Sequence, residues 1–360
     1  MPLETPLHAA HLAAGGKMVE FAGWELPIHY GSQMEEHSAV RSSAGMFDVS
    51  HMGTVDFRGP QAREFLQRVL ANDIDRAAEQ GQAIYSCMLN DQGGVIDDLI
   101  TFRVDNDFYR GVLNAARREV DLEWLRRHAE GFDVEITERE DLAIIAVQGP
   151  EAGAKLGSVL GSDGAAVVEA LKPFRAASHG DFYIARTGYT GEDGFEVMLP
   201  GDHAVELWDQ LVAAGVRPCG LGARDSLRLE AGLNLYGQDM DESTTPLISN
   251  LGWTVAFTPE DRNFIGRKAL EQQKAQGVAQ QLVGLVFGRG GIPRAGAVVN
   301  TSEGPGVITS GVFGPTVKGP VALARVPAGN FEEVEVELRG RSLAARVVSL
   351  PFVRHGKVRV

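Results

Sequence analysis

A strand followed by a Gly-Pro turn and a helix occurs twice in this chain of 360 residues. In the first copy, residues 55–57 lead through the turn at 59–60 into an amphipathic helix with one apolar face, formed by Phe65, Leu66, Val69 and Leu70. In the second copy, residues 145–147 lead through the turn at 149–150 into another helix. The recurrence predicts α+β lobes rather than a doubly wound sheet, and its second copy either opens a new unit or returns the chain to an earlier one.

The last part of the chain has a different pattern, in which short β runs alternate with Gly and Pro. These runs cover residues 282–287, 306–310, 321–326, 334–338 and 344–350. Such spacing predicts a small antiparallel β-barrel or sandwich. A polar, helical connection over about 257–280 precedes the runs, and it predicts a domain boundary near 275–281.

The net charge of −14 argues against a nucleic-acid partner and against an anionic membrane surface, since both need a basic face. Cys87 and Cys219 have no C-x-x-C spacing and no neighbouring His cluster, which argues against a structural metal site and a disulfide framework. The N-terminal stretch has neither a basic leader nor a long apolar run. We therefore expect a cytoplasmic protein without a metal ion.

Two adjacent acids, Asp97 and Asp98, lie in the second strand of a hairpin predicted over residues 83–104. Strand alternation places them on opposite faces. Asp98 shares a core-like face with Ile96 and Ile100, whereas the face of Asp97 turns polar beyond Leu99. We expect Asp97 to line a cavity and Asp98 to need a structural partner, although both could be ordinary structural acids because ion pairs also use such residues.

Further polar residues lie in apolar surroundings, namely Glu196 and the pair Arg224 and Arg228, which share a helix face. Aromatic residues lie near the polar ones in sequence: Tyr85, Tyr189, Tyr236 and Trp253. A carboxylate can accept two parallel hydrogen bonds from an amidine-like edge, and aromatic rings supply walls, so a pterin or a purine fits the combination. The alternative is that the tyrosines are core residues and Glu196 pairs with an arginine.

Six motifs, in order along the chain, resemble the aminomethyltransferase family of the glycine cleavage system, the T-protein family. They are FAGWELPIHYGS at 21–32, GMFDVSHMG at 45–53, GGVIDDLI at 93–100, TGYTGEDGFEV at 187–197, GLGARDSLRLEAGLNLYGQDMDE at 220–242 and LGWTVAF at 251–257. The resemblance runs from about residue 5 to the PFVRHGK segment at 351–357.

The resemblance implies an α+β fold of three lobes in a ring around a central folate cavity, with a small antiparallel β-barrel as the last lobe. Residues 1–275 would form two interleaved lobes, the second at roughly 53–138, and residues 276–360 the barrel domain. The implied reaction transfers the one-carbon unit of the aminomethyl group on the lipoyl arm of H-protein to tetrahydrofolate. It yields methylene-tetrahydrofolate, ammonia and dihydrolipoyl H-protein.

The resemblance also implies roles for individual residues. Asp97 would be the catalytic acid beside the reactive folate nitrogens, and Glu196 would bind the pterin with Arg224 nearby. The remaining folate-cavity residues would be Tyr189, Tyr236, Trp253, Asn114, Tyr85, Met52 and Phe174. Tetrahydrofolate would be a co-substrate, and lipoylated H-protein the partner.

A second functional class stays open, a non-catalytic folate-binding module related to iron–sulfur maintenance proteins. Those proteins carry a Cys-containing K-G-C-Y-x-G-Q-E signature, and residues 235–238 here read Leu-Tyr-Gly-Gln without the Cys. Folate-dependent domains of demethylating flavoproteins also share the fold. This chain has no third Gly after Gly220 and Gly222 that would indicate a Rossmann segment.

Overall fold

The computed structural model describes residues 1–288, 291–338 and 340–360. In this part of the chain the helices are α1 (His8–Ala13), α2 (Gln33–Ser42), α3 (Ala62–Val69), α4 (Arg118–His128), α5 (Ala152–Val159), α6 (Gly161–Ala170), α7 (Ala204–Ala213), α8 (Leu221–Glu230) and α9 (Arg267–Gln276). The strands are β1 (Lys17–Phe21), β2 (Trp24–His29), β3 (Gly45–Asp48), β4 (Gly53–Arg58), β5 (Ala83–Leu89), β6 (Val95–Asp105), β7 (Phe108–Leu113), β8 (Glu135–Glu138), β9 (Leu142–Gln148), β10 (Ala176–His179), β11 (Phe182–Ala185), β12 (Gly194–Pro200), β13 (Arg217–Pro218), β14 (Gln280–Phe287), β15 (Val298–Thr301), β16 (Gly304–Gly314), β17 (Gly319–Pro327), β18 (Glu333–Leu338), β19 (Arg341–Val348), β20 (Val353–Arg354) and β21 (Lys357–Val358). None of the helices described is both long and apolar enough to cross a membrane.

Lobe one is built on a six-stranded sheet with the order β10-β11-β12-β9-β3-β13. The pairs are antiparallel except β13 with β3, which is parallel. Helices α5, α6 and α7 pack against this sheet. Trp208, Leu207 and Leu211 of α7 are buried in the resulting core with Phe195 of β12.

Lobe two is an insertion into lobe one, because β3 and β9 pair with each other although the whole of lobe two lies between them in the chain. Its five-stranded sheet has the order β5-β6-β7-β4-β8. Helices α3 and α4 cover one face, where Phe65, Leu122 and Leu125 are buried. The second strand, Gly-Pro turn and helix (β9 to α5) therefore returns the chain to lobe one, which resolves the alternative left open by the sequence.

The third lobe is a closed antiparallel barrel with the order β14-β17-β16-β15-β18-β19, completed by pairing of β19 with β14. The predicted α+β class with a terminal barrel is confirmed. The sequence predicted five of these strands and missed β15, which has only four residues and a single buried side chain, Val299.

Contacts between the lobes close a ring. Lobe two meets lobe one where the Gly81 carbonyl accepts a hydrogen bond from the Ala176 amide at 2.7 Å. Lobe two meets the segment that leads to the barrel where the Ala256 amide donates to the Ala71 carbonyl at 3.0 Å. The barrel meets lobe one where Arg228 of α8 donates to Ser310 at 3.0 Å. The domain boundary between residues 275 and 276 stays a prediction.

Candidate functional site

The hairpin that carries the two acids is fixed by its turn. The side chain of Asn90 accepts hydrogen bonds from the amides of Gln92 and Gly94 at 3.0 and 2.9 Å. Gly93 has φ of +82°, a conformation that favours glycine. A Cβ on Gly94 would overlap the carbonyl oxygen of Glu242. The turn is therefore pressed against the segment that carries Glu242, and this contact sets where β6 begins.

Asp97 and Asp98 have unlike surroundings. Asp97 has no exposed surface, whereas Asp98 is partly exposed. This is the reverse of the exposure expected from strand alternation, because the face that carries Asp97 and Leu99 is the one covered by helices α3 and α4. The face of Asp98 and Ile100 instead turns toward lobe one.

Asn114, at the end of β7, joins the two acids. Its side-chain amide donates to Asp97 Oδ1 at 2.9 Å and to Asp98 Oδ1 at 2.9 Å. Its backbone amide donates to Asp97 Oδ2 at 3.1 Å. Asp98 also accepts a hydrogen bond from the hydroxyl of Tyr85 at 2.5 Å. Tyr85 and Asn114 are thus the partners of Asp98 that the sequence left unnamed.

The electrostatics of this acid cluster raise carboxyl pKa values. Burial raises the pKa of Asp98 to about 7, and the charge of Asp97 adds to the shift. Burial also raises the pKa of Asp97, against the influence of the neighbouring Asp121 carboxyl group and the hydrogen bonds from Asn114. Burial and the charge of Asp98 raise the pKa of Tyr85 well above its ordinary value. Tyr85 therefore stays a hydrogen-bond donor, and Asp98 changes charge near neutral pH.

Aromatic side chains form a wall beside the acids. The rings of Tyr85 and Trp253 are stacked, with centroids 5.7 Å apart and an interplanar angle of 27°. Trp253 is 63% exposed, so it presents a large flat surface at the edge of this region. The hydroxyl of Tyr236 donates to the Val95 carbonyl at 3.0 Å, which ties the same wall to the start of β6.

A second cluster lies in lobe one. Glu196 of β12 is partly exposed and accepts a hydrogen bond from Thr187 at 2.5 Å. The guanidinium of Arg224, on α8, lies 4.7 Å from the ring centroid of Tyr189. Within the described part of the chain, that guanidinium donates to no protein acceptor, and burial lowers the pKa of Arg224. The pairing of Glu196 with an arginine, considered from sequence, takes no hydrogen-bonded form in this region.

Arg228 and His51 have different parts in this region. Arg228 is buried and donates to Asp239 at 2.8 Å and to Asp225 at 2.8 Å, so it is a structural residue that connects α8 to the barrel. His51 is also buried, and burial together with the charge of Arg224 lowers the pKa of His51 to about 4. The imidazole is therefore neutral.

The structure brings some of the sequence-predicted residues together in two clusters and leaves Met52 and Phe174 outside them. Tyr85, Asn114, Asp97, Tyr236 and Trp253 gather around the acid cluster, and Glu196, Arg224 and Tyr189 form the second cluster. Met52 packs with Ile100 against the core between lobes one and two. Phe174 is 47% exposed with φ of +58°, and its backbone pairs with Ala83.

Asp121 is a site residue that the sequence reasoning missed. It lies in the first turn of α4, it is fully buried, and its carboxyl group neighbours that of Asp97. The signal was present, since Asp121 is one turn before Leu125 and therefore shares the inward face of the helix. An acid on the apolar face of an amphipathic helix indicates a buried charge or a buried proton.

Comparisons with known proteins cover nearly the whole chain. Family models described as the GCVT N-terminal domain and the glycine cleavage T-protein C-terminal barrel domain match residues 7–259 and 280–354. An aminomethyltransferase of Methylococcus capsulatus is 56% identical over 353 residues, which covers 97% of this chain and 96% of that relative. The crystal structure of the glycine cleavage system aminomethyltransferase T of Bartonella henselae matches with a TM-score of 0.93 and 39% identity over 100% of both chains. The chain therefore belongs to the glycine cleavage T-protein family of aminomethyltransferases.

Proposed function

We propose that this protein transfers the one-carbon unit of an aminomethyl group from the lipoyl arm of H-protein to tetrahydrofolate. The products are methylene-tetrahydrofolate, ammonia and dihydrolipoyl H-protein. Counted from a protonated aminomethyl amine, one folate N–H proton passes to the lipoyl sulfur and the other to the departing ammonia, which leaves as ammonium, so that no proton is released. The reaction therefore suits a carboxyl group that accepts a proton and returns it.

One observation carries the proposal: the acid cluster of lobe two and the Glu196 cluster of lobe one share Tyr189. Arg224 lies over the Tyr189 ring, and Asp98 is close enough to raise the pKa of the Tyr189 hydroxyl together with burial. A ligand that spans both clusters would meet a carboxylate, a guanidinium with free donors and the stacked rings of Tyr85 and Trp253. A pterin joined to an aromatic ring has matching groups.

We propose that Glu196 accepts hydrogen bonds from the donor edge of the pterin and that Arg224 donates to its carbonyl oxygen. Asp98 is the acid that meets the reacting atoms, since it is partly exposed on the face toward lobe one. Asp97, the acid predicted from the sequence, would act indirectly, by orienting Asn114, because Asp97 has no exposed surface. This exchanges the roles that were expected for the two acids.

The test is formation of methylene-tetrahydrofolate from aminomethylated H-protein and tetrahydrofolate by the purified protein. Ammonia release without folate serves as the background. We expect product in proportion to enzyme and dependent on both substrates. Folate binding without product in the presence of competent H-protein would contradict the proposal and favour the non-catalytic binding module.

A further inference from the structure

Asp121 is buried without a protein donor. Both carboxyl oxygens are inaccessible, and within the described residues no N–H or hydroxyl group donates to either of them. Its position in the first turn of α4 gives it the favourable end of the helix dipole, as it does for the exposed Glu119 two residues earlier. A dipole alone does not replace the hydrogen bonds of a buried carboxylate.

Asp97 places a second carboxyl group next to that of Asp121. Two carboxylates cannot hydrogen-bond to each other, because neither has a proton to donate. A pair of neighbouring buried carboxyl groups therefore shares a proton, as two like charges in an apolar site cannot both persist. Asp97 already accepts from the backbone and side-chain amides of Asn114, which favours the charged form on Asp97.

The charges that face this pair come from several elements. Asp98 of β6 adds a third acid, and Tyr236 approaches from the segment before the barrel. Arg117 is the cation, but its guanidinium donates to the Ile96 carbonyl at 3.1 Å and to Glu242 at 2.5 Å. The Arg117 guanidinium therefore makes its hydrogen bonds to other groups. A proton held between Asp97 and Asp121 is then what removes the repulsion between their two negative charges.

We propose that Asp121 is a positioning residue whose carboxyl group keeps a proton and donates it as a hydrogen bond to Asp97. This bond holds Asp97 charged and oriented. Asp97 in turn orients Asn114, which holds Asp98, and the charge of Asp97 keeps Asp98 titrating near neutral pH. The catalytic part of this inference rests on the proposed aminomethyltransferase function, whereas the buried proton does not.

The first test compares pH–rate profiles of Asp121→Asn and Asp121→Leu. The Asn variant keeps a donor toward Asp97, so we expect its profile to match that of the parent enzyme within a few tenths of a pH unit. The Leu variant removes the donor, so Asp97 takes up the proton and no longer repels ionisation of Asp98. We expect the acid limb of its pH–rate profile to move down by about one pH unit and turnover to fall by about tenfold or more.

Glu119→Gln, in the same helical turn, is the control and should change neither the pH–rate profile nor turnover. Equal profiles for the Leu variant and the parent would overturn the positioning role.

The second test needs no substrate. Burial and the charge of Asp97 raise the pKa of Asp121 to about 11, so the folded state keeps a proton that the unfolded state loses above about pH 4. Folding of the parent protein is therefore increasingly disfavoured as pH rises, by up to about tenfold in the equilibrium constant per pH unit, and Asp121→Asn removes this penalty. Denaturant unfolding of both proteins at pH 5 and pH 8 should show a ratio of folding constants that grows with pH in favour of the variant. A constant ratio would mean that Asp121 is charged in the fold and would overturn the proposal, whether or not the enzyme reaction is found.

Discussion

At the scale of single residues, the site depends on neighbouring acids with unlike surroundings. Asp98 is partly exposed and bonded to Tyr85, Asp97 is enclosed and bonded to Asn114, and Asp121 lies behind Asp97. Burial raises the pKa of each, and of these three acids Asp98 alone has exposed surface. The three acids therefore form a series that runs from the partly exposed Asp98 through Asp97 to the buried Asp121.

We expect Asp98→Asn to lower turnover by about a hundredfold or more while the affinity for folate changes by less than about tenfold. The Asn side chain can keep its oxygen toward the Asn114 amide and donate to the Tyr85 hydroxyl, but it cannot carry the proton. Asp97→Asn should have a smaller effect on turnover, since its role is to orient Asn114. Steady-state rates measure the turnover of both variants, and folate titrations measure their affinity for folate. A larger loss in Asp97→Asn than in Asp98→Asn would restore Asp97 as the reacting acid.

Glu196→Gln is expected to weaken folate binding by about tenfold or more. The substitution replaces one acceptor oxygen with an NH2 group, which would face an N–H donor of the pterin, so one of the two charge-assisted hydrogen bonds is lost. Turnover at saturating folate should change less than affinity does. Fluorescence or calorimetric titration measures the affinity. Glu206→Gln, an exposed acid on α7, is the control. Unchanged affinity in Glu196→Gln would remove Glu196 from the pterin site.

Part of the site could be predicted from residue types alone. Acids and aromatic residues in apolar surroundings indicated a planar ligand, and the resemblance supplied the grouping of Glu196 with Arg224. The relative exposure of Asp97 and Asp98 could not be predicted, because alternation shows that two side chains point apart but not which face a helix will cover. The inward face of α4 indicated that Asp121 is buried, but its place beside Asp97 required knowledge that α4 packs against β6.

At the scale of elements, the β5–β6 hairpin positions the acids, and its turn is held from outside. Gly93 needs its positive φ, and Gly94 needs the absence of a side chain where the chain passes Glu242. The backbone amide of Val95 then donates to the carbonyls of Asp241 and Thr244 at 3.2 and 2.9 Å. The start of the strand is thereby tied to the segment that also carries Tyr236.

Gly94→Ala should destabilise the protein by about 2–4 kcal/mol, since the added methyl group meets a backbone carbonyl that cannot turn aside. Displacement of the turn should also lower turnover, because β6 carries Asp98. Gly288→Ala is the control, as that glycine has open space among the residues that the structure describes and no positive φ, and it should have little effect. Thermal unfolding and activity at a temperature below both transitions measure the two effects. Equal stability of the Gly94 and Gly288 variants would contradict the account.

The hairpin and the helices that follow the two Gly-Pro turns could be predicted because their signals are local. The hairpin predicted over 83–104 corresponds to β5 and β6, and the helices predicted after 59–60 and 149–150 correspond to α3 and α5. Strand β15 escaped because a four-residue strand with one buried side chain has no period to detect. The pairing of β3 with β9 escaped because it joins distant segments and leaves no local pattern.

At the scale of the whole molecule, a buried polar network joins lobe one to the barrel. Glu230 of α8 accepts from Arg41 at 3.0 Å and lies 3.2 Å from His37, and the backbone amide of Thr316 in the barrel donates to it at 2.8 Å. Burial alone would raise the pKa of Glu230, but the hydrogen bond and charge of His37, with the other partners, hold it at about 2. Glu230 therefore stays charged across the neutral range.

Glu230→Gln is expected to lose about 3 kcal/mol of stability at pH 7, because it removes the buried carboxylate that pairs with both Arg41 and His37 and leaves Arg41 with Glu192 alone. The folded pKa of Glu230 lies below its ordinary value of 4.5, so its contribution is present above about pH 4.5 and is lost as pH falls toward 2. Chemical unfolding at pH 7 and at pH 3 should therefore show a smaller difference between variant and parent at the lower pH. Glu123→Gln, from an exposed ion pair on α4, is the control. A difference that does not change with pH would contradict the assignment.

The insertion of lobe two into lobe one has a consequence for synthesis on the ribosome. Strand β3 leaves the ribosome early, but its partners β9 and β13 follow only after all of lobe two has been made. At ordinary elongation rates this interval is on the order of ten seconds. Met46 and Phe47, both buried in the finished sheet, stay unpaired during that time. A substitution in lobe two that slows the folding of that lobe thus prolongs the exposure of an apolar strand that belongs to lobe one. The whole nascent chain is then more prone to aggregate.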